Sequence, residues 1–365
     1  MVVKEDDVLK VLSNVMDPDL GQDLVSLGMI KDLVISETKI AFSVVLTTPA
    51  CPLKEMLRKD CLMAIESLGI PDVDIEINMS SSVTSTRMEN IPLLPNVKNL
   101  IAVASGKGGV GKSTVTSNLA VALAKSGATV GIIDADIFGP SIPTMFGCED
   151  EQPTVKNIEE KSWIIPIEKY GVKLISIGFL SPAENAIVWR GPMASSALKQ
   201  FISDTNWGDL DYLLFDLPPG TSDIHLTLVQ TIPVTGAVIV TTPQKVALAD
   251  AIKGVAMFKQ PQINVPVLGI IENMAYFTPE ELPNNKYYIF GQDGGKHLAE
   301  KNNIPFLGEI PIVQRIRESG DLGEPVVLKD EITAEAFMKL AQNLAQQVAI
   351  RNATQEKTKV VEVNQ

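Results

Sequence analysis

Cysteine, histidine and aromatic residues are scarce in this sequence of 365 residues. The three cysteines are too few for a disulfide framework, which excludes the small disulfide-rich secreted domains and favours a reducing, cytoplasmic setting. The two histidines stand alone, His225 on a predicted surface beside a strand-end loop and His297 on a predicted helix. A lone histidine is weak evidence for a metal site, so neither is a candidate ligand.

Long apolar runs and an excess of positive charge are also absent. The longest apolar runs, such as residues 236–240 and 267–271, have the length of strands, and none approaches the ~20 residues of a membrane span. The first ten residues are charged from position 4 and lack an apolar stretch, so no secretory signal is predicted. A net charge of −13 repels the phosphate backbone of nucleic acids. We therefore expect neither a nucleic acid nor a membrane as partner.

A stretch rich in Ser, Thr and Pro, residues 80–97, predicts a linker between two differently patterned regions. Residues 1–79 mix helical and strand patterns and predict a small α+β domain. In residues 98–350, seven apolar strand patterns alternate with helical ones, which predicts an α/β domain built on a mostly parallel sheet. Residues 351–365 are polar and predict a frayed tail.

The most specific motif is GKGGVGKST, which we call the phosphate loop. It comprises Gly106, Lys107, Gly108, Gly109, Val110, Gly111, Lys112, Ser113 and Thr114. It fits the pattern G-x-x-x-x-G-K-[ST] between a predicted strand and a predicted helix. Glycines let backbone N–H groups turn inward around phosphates, and the helix N-terminus adds partial positive charge. Lys112 is expected to reach the β- and γ-phosphates of ATP, and the Ser113 hydroxyl to ligate Mg²⁺.

Carboxylates follow two of the predicted strands. Asp216 ends one of them, where a carboxylate can hold Mg²⁺ directly or through water. Asp134 and Asp136 follow another and could orient an attacking water or help to place Mg²⁺. The spacing D-x-D is common, however, and two solvent-facing loop carboxylates explain this second pair equally well.

Five segments in chain order resemble the Mrp/ApbC family, ATPases of the deviant phosphate-loop class related to MinD and ParA. They are KGGVGKST, DADIFGPSIP, WRGPMASSALKQF, DYLLFDLPPGTSD and GIIENM. The resemblance covers about residues 97–350 and implies iron–sulfur cluster carriage controlled by ATP. In the N-terminal region, DPDLGQDLVSLGMI and TTPACPLKEML resemble a domain of iron–sulfur assembly factors that is often fused ahead of these ATPases.

The resemblance implies specific roles for five parts of the chain. Lys107, the extra lysine of the phosphate loop, would reach across a homodimer to the partner's nucleotide, much as an arginine finger does. Asp136 would position the hydrolytic water and Asp216 would support Mg²⁺. Asn273 would contact adenine, and residues 310–325 would close over the base. Apo iron–sulfur proteins or assembly factors are the implied partners.

One expected feature of the family is missing. Members that carry a cluster usually have C-x-x-C shortly after the E-N-M motif, and two such pairs across a dimer supply the four thiolates of a four-iron cluster. Here residues 278–285 contain no cysteine, although FGQDGGKHLA downstream matches the family again.

The three cysteines of the sequence, all outside this segment, differ in how suitable each is as a cluster ligand. Cys61 lies on a predicted buried helical face, which favours core packing. Cys148 lies in a predicted loop before acidic residues, which disfavour a thiolate. Cys51 precedes Pro52, a predicted first helical residue, and a helix N-terminus lowers a thiol pKa. Cys51 also matches the cysteine of the N-terminal domain family. It is therefore the candidate iron–sulfur ligand, and a structural role at the helix start is an equal alternative.

Three functions stay open at this point. The leading one is an ATPase, slow in basal turnover because hydrolysis waits for dimer closure, that delivers iron–sulfur clusters to apo-proteins. The alternative is an ATP-dependent dimer switch or assembly factor that binds protein clients without holding a cluster, which the missing C-x-x-C favours. The third is a positioning factor acting on DNA or membrane. The acidic charge argues against DNA, and the lack of a basic amphipathic helix in the tail argues against a membrane.

Overall fold

The computed structural model of the chain describes residues 4–36, 38–85, 93–158, 161–180, 191–279, 281–282, 285–329 and 332–361. The chain divides into two compact units, Met1–Thr84 with Ala349–Gln355 and Ser85–Val348 with Glu356–Gln365. No helix in the described ranges combines the length and the apolar character needed to span a lipid bilayer.

The smaller unit has the predicted α+β composition. Its elements are α1 (Glu5–Leu12), β1 (Met16–Asp17), β2 (Gln22–Asp23), β3 (Ile30–Ile35), β4 (Lys39–Leu46), α2 (Lys54–Glu66) and β5 (Asp74–Ser81). Strand β4 is central, antiparallel to β3 and parallel to β5. Leu57, Cys61 and Ile65 recur every fourth residue on α2, so one helical face is buried in the apolar core of this unit.

The larger unit contains the predicted α/β sheet. Its first elements are β6 (Val97–Ser105), α3 (Lys112–Lys125), β7 (Val130–Asp134), α4 (Ile142–Met145), β8 (Thr154–Ile158), β9 (Lys161–Ile165), β10 (Ile167–Lys169), β11 (Val172–Ser176), α5 (Gly191–Ser203) and β12 (Leu210–Asp216). The remaining ones are α6 (Asp223–Thr231), β13 (Gly236–Thr241), α7 (Lys245–Lys259), β14 (Val267–Glu272), α8 (Gly294–Lys301), β15 (Phe306–Glu309), α9 (Gln314–Asp321) and α10 (Ile332–Thr354). Helix α10 belongs to this unit as far as Val348, and its last turns belong to the smaller unit. All seven predicted strands are present.

The strand order explains where a site can form. The eight-stranded sheet runs β10-β11-β7-β12-β6-β13-β14-β15, and every neighbouring pair is parallel except β10 with β11. Strands β7 and β13 are buried along their whole length, as expected for strands covered on both faces. The carboxyl ends of β6, β7, β12 and β14 therefore bring the phosphate loop, Asp134, Asp216 and Asn273 to one edge of the sheet.

The structure differs from the sequence expectations at the linker and the tail. Strand β5 extends to Ser81 and β6 begins at Val97, so both ends of the predicted linker belong to strands; residues 86–92 lie outside the described part. The tail is not frayed over its described length. Helix α10 continues to Thr354, where the Asn352 amide donates to the Thr84 carbonyl (3.0 Å). Val361 donates its N–H to Val229 (3.0 Å) and packs against the core. The antiparallel pair β8–β9 was not predicted, because β8 is exposed throughout and carries no buried pattern.

His225 is buried, contrary to its predicted surface position. It lies on α6 with 1% of its surface exposed, because the side chain turns back to the start of the helix, where the Ser222 N–H donates to its Nδ1 (3.2 Å). Its Nε2 has no partner among the described residues. Burial lowers the pKa of His225 to about 4, so the imidazole stays neutral in the folded protein at physiological pH.

His225 predicts a pH dependence of stability. Between the unfolded-state pKa of about 6.5 and the folded-state value of about 4, only the unfolded chain binds a proton here, so the free energy of unfolding falls as pH is lowered. Wild type should lose about 1–2 kcal/mol more between pH 7 and pH 5 than His225→Gln. Urea denaturation at the two pH values measures this. His297→Gln, at an exposed position of α8, is the control and should retain the wild-type difference; equal pH dependence in all three proteins would refute the assignment.

Candidate functional site

The phosphate loop connects the end of β6 to the start of α3, as its motif predicts. Gly109 and Gly111 have φ of +80° and +77°, the left-handed region that glycine adopts without strain. A Cβ on Gly106 would lie 2.2 Å from the backbone carbon of Asp250, so the loop packs closely against α7. Conformation or packing therefore favours glycine at these three positions of the motif.

A cavity of about 200 Å³ opens at this loop. Besides residues 107–114, it is lined by Ser105, Asp136, Ser141, Met145 and Pro219. The cavity joins the carboxyl ends of three strands, since Asp136 follows β7 and Pro219 follows β12. The sequence-predicted residues of the phosphate loop and Asp136 thus share one concave site.

Lys112 and Asp216 form a buried ion pair in this site. Lys112 Nζ lies 2.9 Å from Asp216 Oδ1, and the two side chains are 6% and 0% exposed. Asp216 also accepts hydrogen bonds from the hydroxyls of Ser113 at Oδ2 (2.6 Å) and Thr116 at Oδ1 (2.7 Å). Lys112, Ser113 and Asp216 were predicted from their motifs, and the structure brings them together. Thr116 lies beyond the motif pattern and was missed.

Asp134 and Asp136 have different surroundings, and neither is a freely solvated loop carboxylate. Asp134 is fully buried opposite Asp216 in the strand register and accepts from Ser176 Oγ (3.0 Å) and the Ile142 N–H (3.2 Å). Burial raises the pKa of Asp134, and the neighbouring Asp216 raises it further. Asp136 is partly exposed, and its Oδ2 lies 3.9 Å from Lys112 Nζ. Burial raises the pKa of Asp136, whereas Lys112 lowers it.

Asn273 contacts the phosphate loop from the end of β14, which lies two strands away from β6 in the sheet. It follows β14, is 6% exposed, and its Nδ2 donates to the Val110 carbonyl (2.8 Å). A Cβ on Gly111 would lie 2.3 Å from the same nitrogen, so the amide packs directly on the loop backbone. The structure therefore gives Asn273 a bracing contact that sequence reasoning missed; its contact with adenine stays a prediction.

The segment after Asn273 is joined to residues 310–325. Ala275 donates its N–H to Ile310 (3.0 Å), and Ile312 donates to Tyr276 (2.7 Å). Closure of residues 310–325 over a base is untested and stays a prediction. Lys107, predicted to act across a dimer, makes no ion pair with the described residues, and its backbone carbonyl accepts from Ser105 Oγ (3.0 Å).

Cys51 does not have the lowered pKa that the sequence predicts. Helix α2 begins at Lys54 rather than Pro52, and burial raises the pKa of the Cys51 thiol. The carboxylates of Asp17 and Asp19 raise it further, against the backbone N–H groups at the helix start, which lower it. These acidic residues are distant in sequence, so their approach could not be foreseen.

The other two thiols are buried. Cys61 is 0% exposed in the core of the smaller unit, as predicted, and burial raises its pKa to about 12. Cys148 is 2% exposed, and burial, then Glu151, raises its pKa to about 12. Its Sγ donates to the Pro143 carbonyl (3.5 Å), so it is enclosed rather than displayed on a loop. Within the described ranges, no group of three or more Cys, His, Asp or Glu side chains is arranged to hold a metal ion.

The contact between Gly111 and Asn273 predicts the effect of a single methyl group. In Gly111→Ala, the new Cβ would collide with the Asn273 amide in a backbone region unfavourable to alanine, so the loop must change shape. We expect ADP affinity to fall by about 5- to 150-fold, which corresponds to the 1–3 kcal/mol of such strain, while the protein remains folded. Isothermal titration with ADP measures this.

Gly254→Ala is the matched control for that substitution. Gly254 lies within α7, and its Cβ would meet only Ile239 Cδ1 at 3.9 Å, an ordinary contact. It should bind ADP as wild type does. Equal affinity of Gly111→Ala and Gly254→Ala would contradict the proposed loop geometry.

Two family models match the chain, one in each region. Residues 96–348 match the NUBPL iron-transfer P-loop NTPase model of the ParA group. Residues 5–77 match the iron-sulfur cluster assembly protein model. The resemblance drawn from the sequence motifs is confirmed for both regions.

Similar proteins cover nearly the whole chain. The iron-sulfur cluster carrier protein of Synechocystis is 44% identical over 94% of this chain and 98% of its own length. The Deinococcus radiodurans protein of the same name is 46% identical over 96% of this chain and 97% of its length. The chloroplastic Fe-S cluster assembly factor HCF101 of Oryza sativa is 45% identical over 94% of this chain and 64% of its length.

A solved structure shares the fold of the larger unit. The nucleotide-binding protein of Archaeoglobus fulgidus, in complex with ADP, is 41% identical with a TM-score of 0.56, over 66% of this chain and 93% of its own. The glycine-rich loop and the buried Lys112–Asp216 pair are consistent with the P-loop NTPase family that these matches indicate. The chain therefore belongs to the iron-transfer P-loop NTPases, the family of the iron–sulfur cluster carrier proteins.

Proposed function

We propose that this chain binds ATP with Mg²⁺, hydrolyses it, and delivers iron–sulfur clusters to apo-proteins. The observation that carries the ATP part is the arrangement of Lys112, Ser113 and Asp216 at the end of the phosphate loop. A lysine and a hydroxyl beside inward-turning N–H groups suit the phosphates, and a carboxylate next to that hydroxyl suits Mg²⁺. The glycine at position 111 is consistent with phosphate binding, because a Cβ there would lie 2.3 Å from the Asn273 amide nitrogen and the loop could not keep this shape.

Each residue has a distinct part in the proposed hydrolysis. Lys112 would leave Asp216 and bind the β- and γ-phosphates. Ser113 and Asp216 would hold Mg²⁺, which would supply neutralisation of charge on the phosphoryl oxygens. Asp136 lines the cavity beside Lys112 and orients the attacking water. Lys107, without an ion pair in the described part of the chain, stabilises the transferred group on the partner of a homodimer.

The proposed role of Lys107 predicts complementation between two inactive chains. Lys107→Ala and Asp136→Ala should each lower ATP turnover by at least about 100-fold, the first because a charge-stabilising finger is lost and the second because the attacking water is no longer oriented. A mixture of the two variants should regain part of the activity, because a mixed dimer contains one site with both residues. Phosphate release measures turnover.

Lys301→Ala, at an exposed end of α8, is the control and should turn over ATP as wild type does. A mixture no more active than its separate components would show that Lys107 does not act across a dimer.

The cargo is supported by the relatives' names and constrained by the cysteines. Cys51 is the half-buried thiol, whereas Cys61 and Cys148 are buried. Two copies of Cys51 supply two thiolates, and a four-iron cluster takes four ligands. The other ligands have to come from elsewhere, such as the receiving protein. A raised thiol pKa does not prevent ligation, since iron displaces the proton, but it weakens binding as pH falls.

The second candidate is an ATP-dependent dimer switch that binds clients or assembly factors and holds no cluster. The burial of two cysteines and the absence of C-x-x-C in residues 278–285 favour it. In this function, the phosphate-loop site binds and hydrolyses ATP as described for the carrier. The smaller unit contacts an assembly factor, and that factor carries the cluster.

Anaerobic reconstitution with ferrous iron and sulfide separates the two candidates. A carrier should hold iron and acid-labile sulfide with visible absorption, which Cys51→Ser loses and Cys148→Ser keeps. A wild type that holds neither would exclude carriage and leave the switch. ATP-dependent capture of an apo iron–sulfur protein on immobilised wild type would then support the switch, and capture equal with and without ATP would exclude it.

A further inference from the structure

The hydroxyl of Thr116 is a buried partner of Asp216 that the phosphate-loop motif does not include. Thr116 lies one turn after Lys112 on α3, which places both side chains on the same helical face. It is 0% exposed. Its Oγ1 lies 2.7 Å from Asp216 Oδ1 and 3.0 Å from the Lys112 carbonyl.

Three side chains donate to the Asp216 carboxylate within the described part of the chain. Ser113 donates to Oδ2, whereas Thr116 and Lys112 donate to Oδ1. In the proposed function, Lys112 and Ser113 turn to the phosphates and to Mg²⁺. Thr116 is then the donor that has no ligand of its own to bind, and it can keep its hydrogen bond to Asp216 in both states.

The neighbour of Asp216 makes this hydrogen bond important. Asp134 lies directly opposite in the strand register and is also fully buried, so the two carboxylates repel each other when both are ionised. When Lys112 is drawn to the phosphates, less positive charge remains to offset this repulsion. Because Thr116 is part of α3, its hydrogen bond to Oδ1 can hold the Asp216 carboxylate so that Oδ2 faces Ser113.

We propose that Thr116 is a positioning residue, which holds the Asp216 carboxylate in the orientation that Mg²⁺ requires while Lys112 and Ser113 engage the nucleotide. The inference rests on the proposed nucleotide site. It assigns Thr116 no contact with the substrate, and its effect on Mg²⁺ acts through Asp216.

A simpler role for the hydroxyl is a hydrogen bond within the helix. Helical threonines commonly donate to the carbonyl four residues earlier, and the Lys112 carbonyl is within reach. A hydroxyl has one hydrogen, however, and the charged, nearer oxygen of Asp216 is the stronger acceptor. The two roles differ in what removal of the hydroxyl changes: a bond within the helix affects stability, whereas positioning affects Mg²⁺.

The test compares binding of methylanthraniloyl-ADP, followed by fluorescence, at increasing Mg²⁺ and in EDTA. In Thr116→Val, which keeps the side-chain shape, half-maximal enhancement of binding by Mg²⁺ should need about tenfold more Mg²⁺, with affinity in EDTA within about twofold of wild type. Thr116→Ser keeps the hydroxyl and should restore the wild-type Mg²⁺ requirement.

Thr231→Val is the matched control. Thr231 donates to the Thr227 carbonyl (2.6 Å) within α6, so the same substitution removes a bond within a helix away from Asp216. It should leave the Mg²⁺ requirement unchanged. Thermal melting checks each fold. Thr116→Ala, which removes the hydroxyl together with the methyl group, provides the same test if the valine variant does not fold.

Two outcomes distinguish this inference from the function on which it rests. A wild type that responds to Mg²⁺, with Thr116→Val or Thr116→Ala responding at the same concentration, overturns the role of Thr116 and leaves the nucleotide site intact. A wild type that binds no nucleotide, or binds it without responding to Mg²⁺, overturns the proposed function and the inference with it.

Discussion

The ion pair of Lys112 with Asp216 is the interaction on which the site depends, because it allows a fully buried carboxylate to end a strand of the central sheet. Removing an isolated charge from water costs several kcal/mol, and a buried pair recovers this only with good geometry and further hydrogen bonds. Ser113 and Thr116 supply those bonds. The sheet itself is held by apolar packing, and this charged pair lies at the strand ends where the cavity opens. A ligand that withdraws Lys112 must therefore compensate the charge of Asp216 itself, which a metal ion can do.

The fold and the phosphate loop were predictable because their signals are local. Seven strands appear as short apolar runs, and the loop combines glycines with a lysine at fixed spacing over nine residues. Contacts between distant segments have no such signal. Asn273 braces Val110 from 163 positions away, and the pKa of Cys51 is raised by burial and further by Asp17 and Asp19, which are also distant in the sequence. The burial of His225 was not predictable for the same reason, because the residues next to a single histidine after a polar turn do not indicate whether it is buried.

The nucleotide site and the cargo site rest on different kinds of support. The first is visible in side-chain geometry, from the glycine-rich loop to the buried carboxylates. The second comes from the names of relatives, and the pKa of each of the three thiols is raised by burial. In the proposed carrier function, the missing cysteine pair means that the cluster would be held partly by ligands from another protein. Its transfer would then require few bonds to this chain to be broken.

The hydrogen bond from Asn273 to Val110 has a mechanical consequence. It ties the phosphate loop to the residue at which the chain leaves β14, and the segment from which the family's cysteine pair is missing starts only a few residues later. While this hydrogen bond is kept, the Val110 carbonyl and the residue that follows β14 cannot move independently. Met274, the next residue, is held at φ +55°, so a left-handed backbone turn comes directly after the point of attachment. One amide thus joins the shape of the phosphate loop to the path of the chain beyond β14.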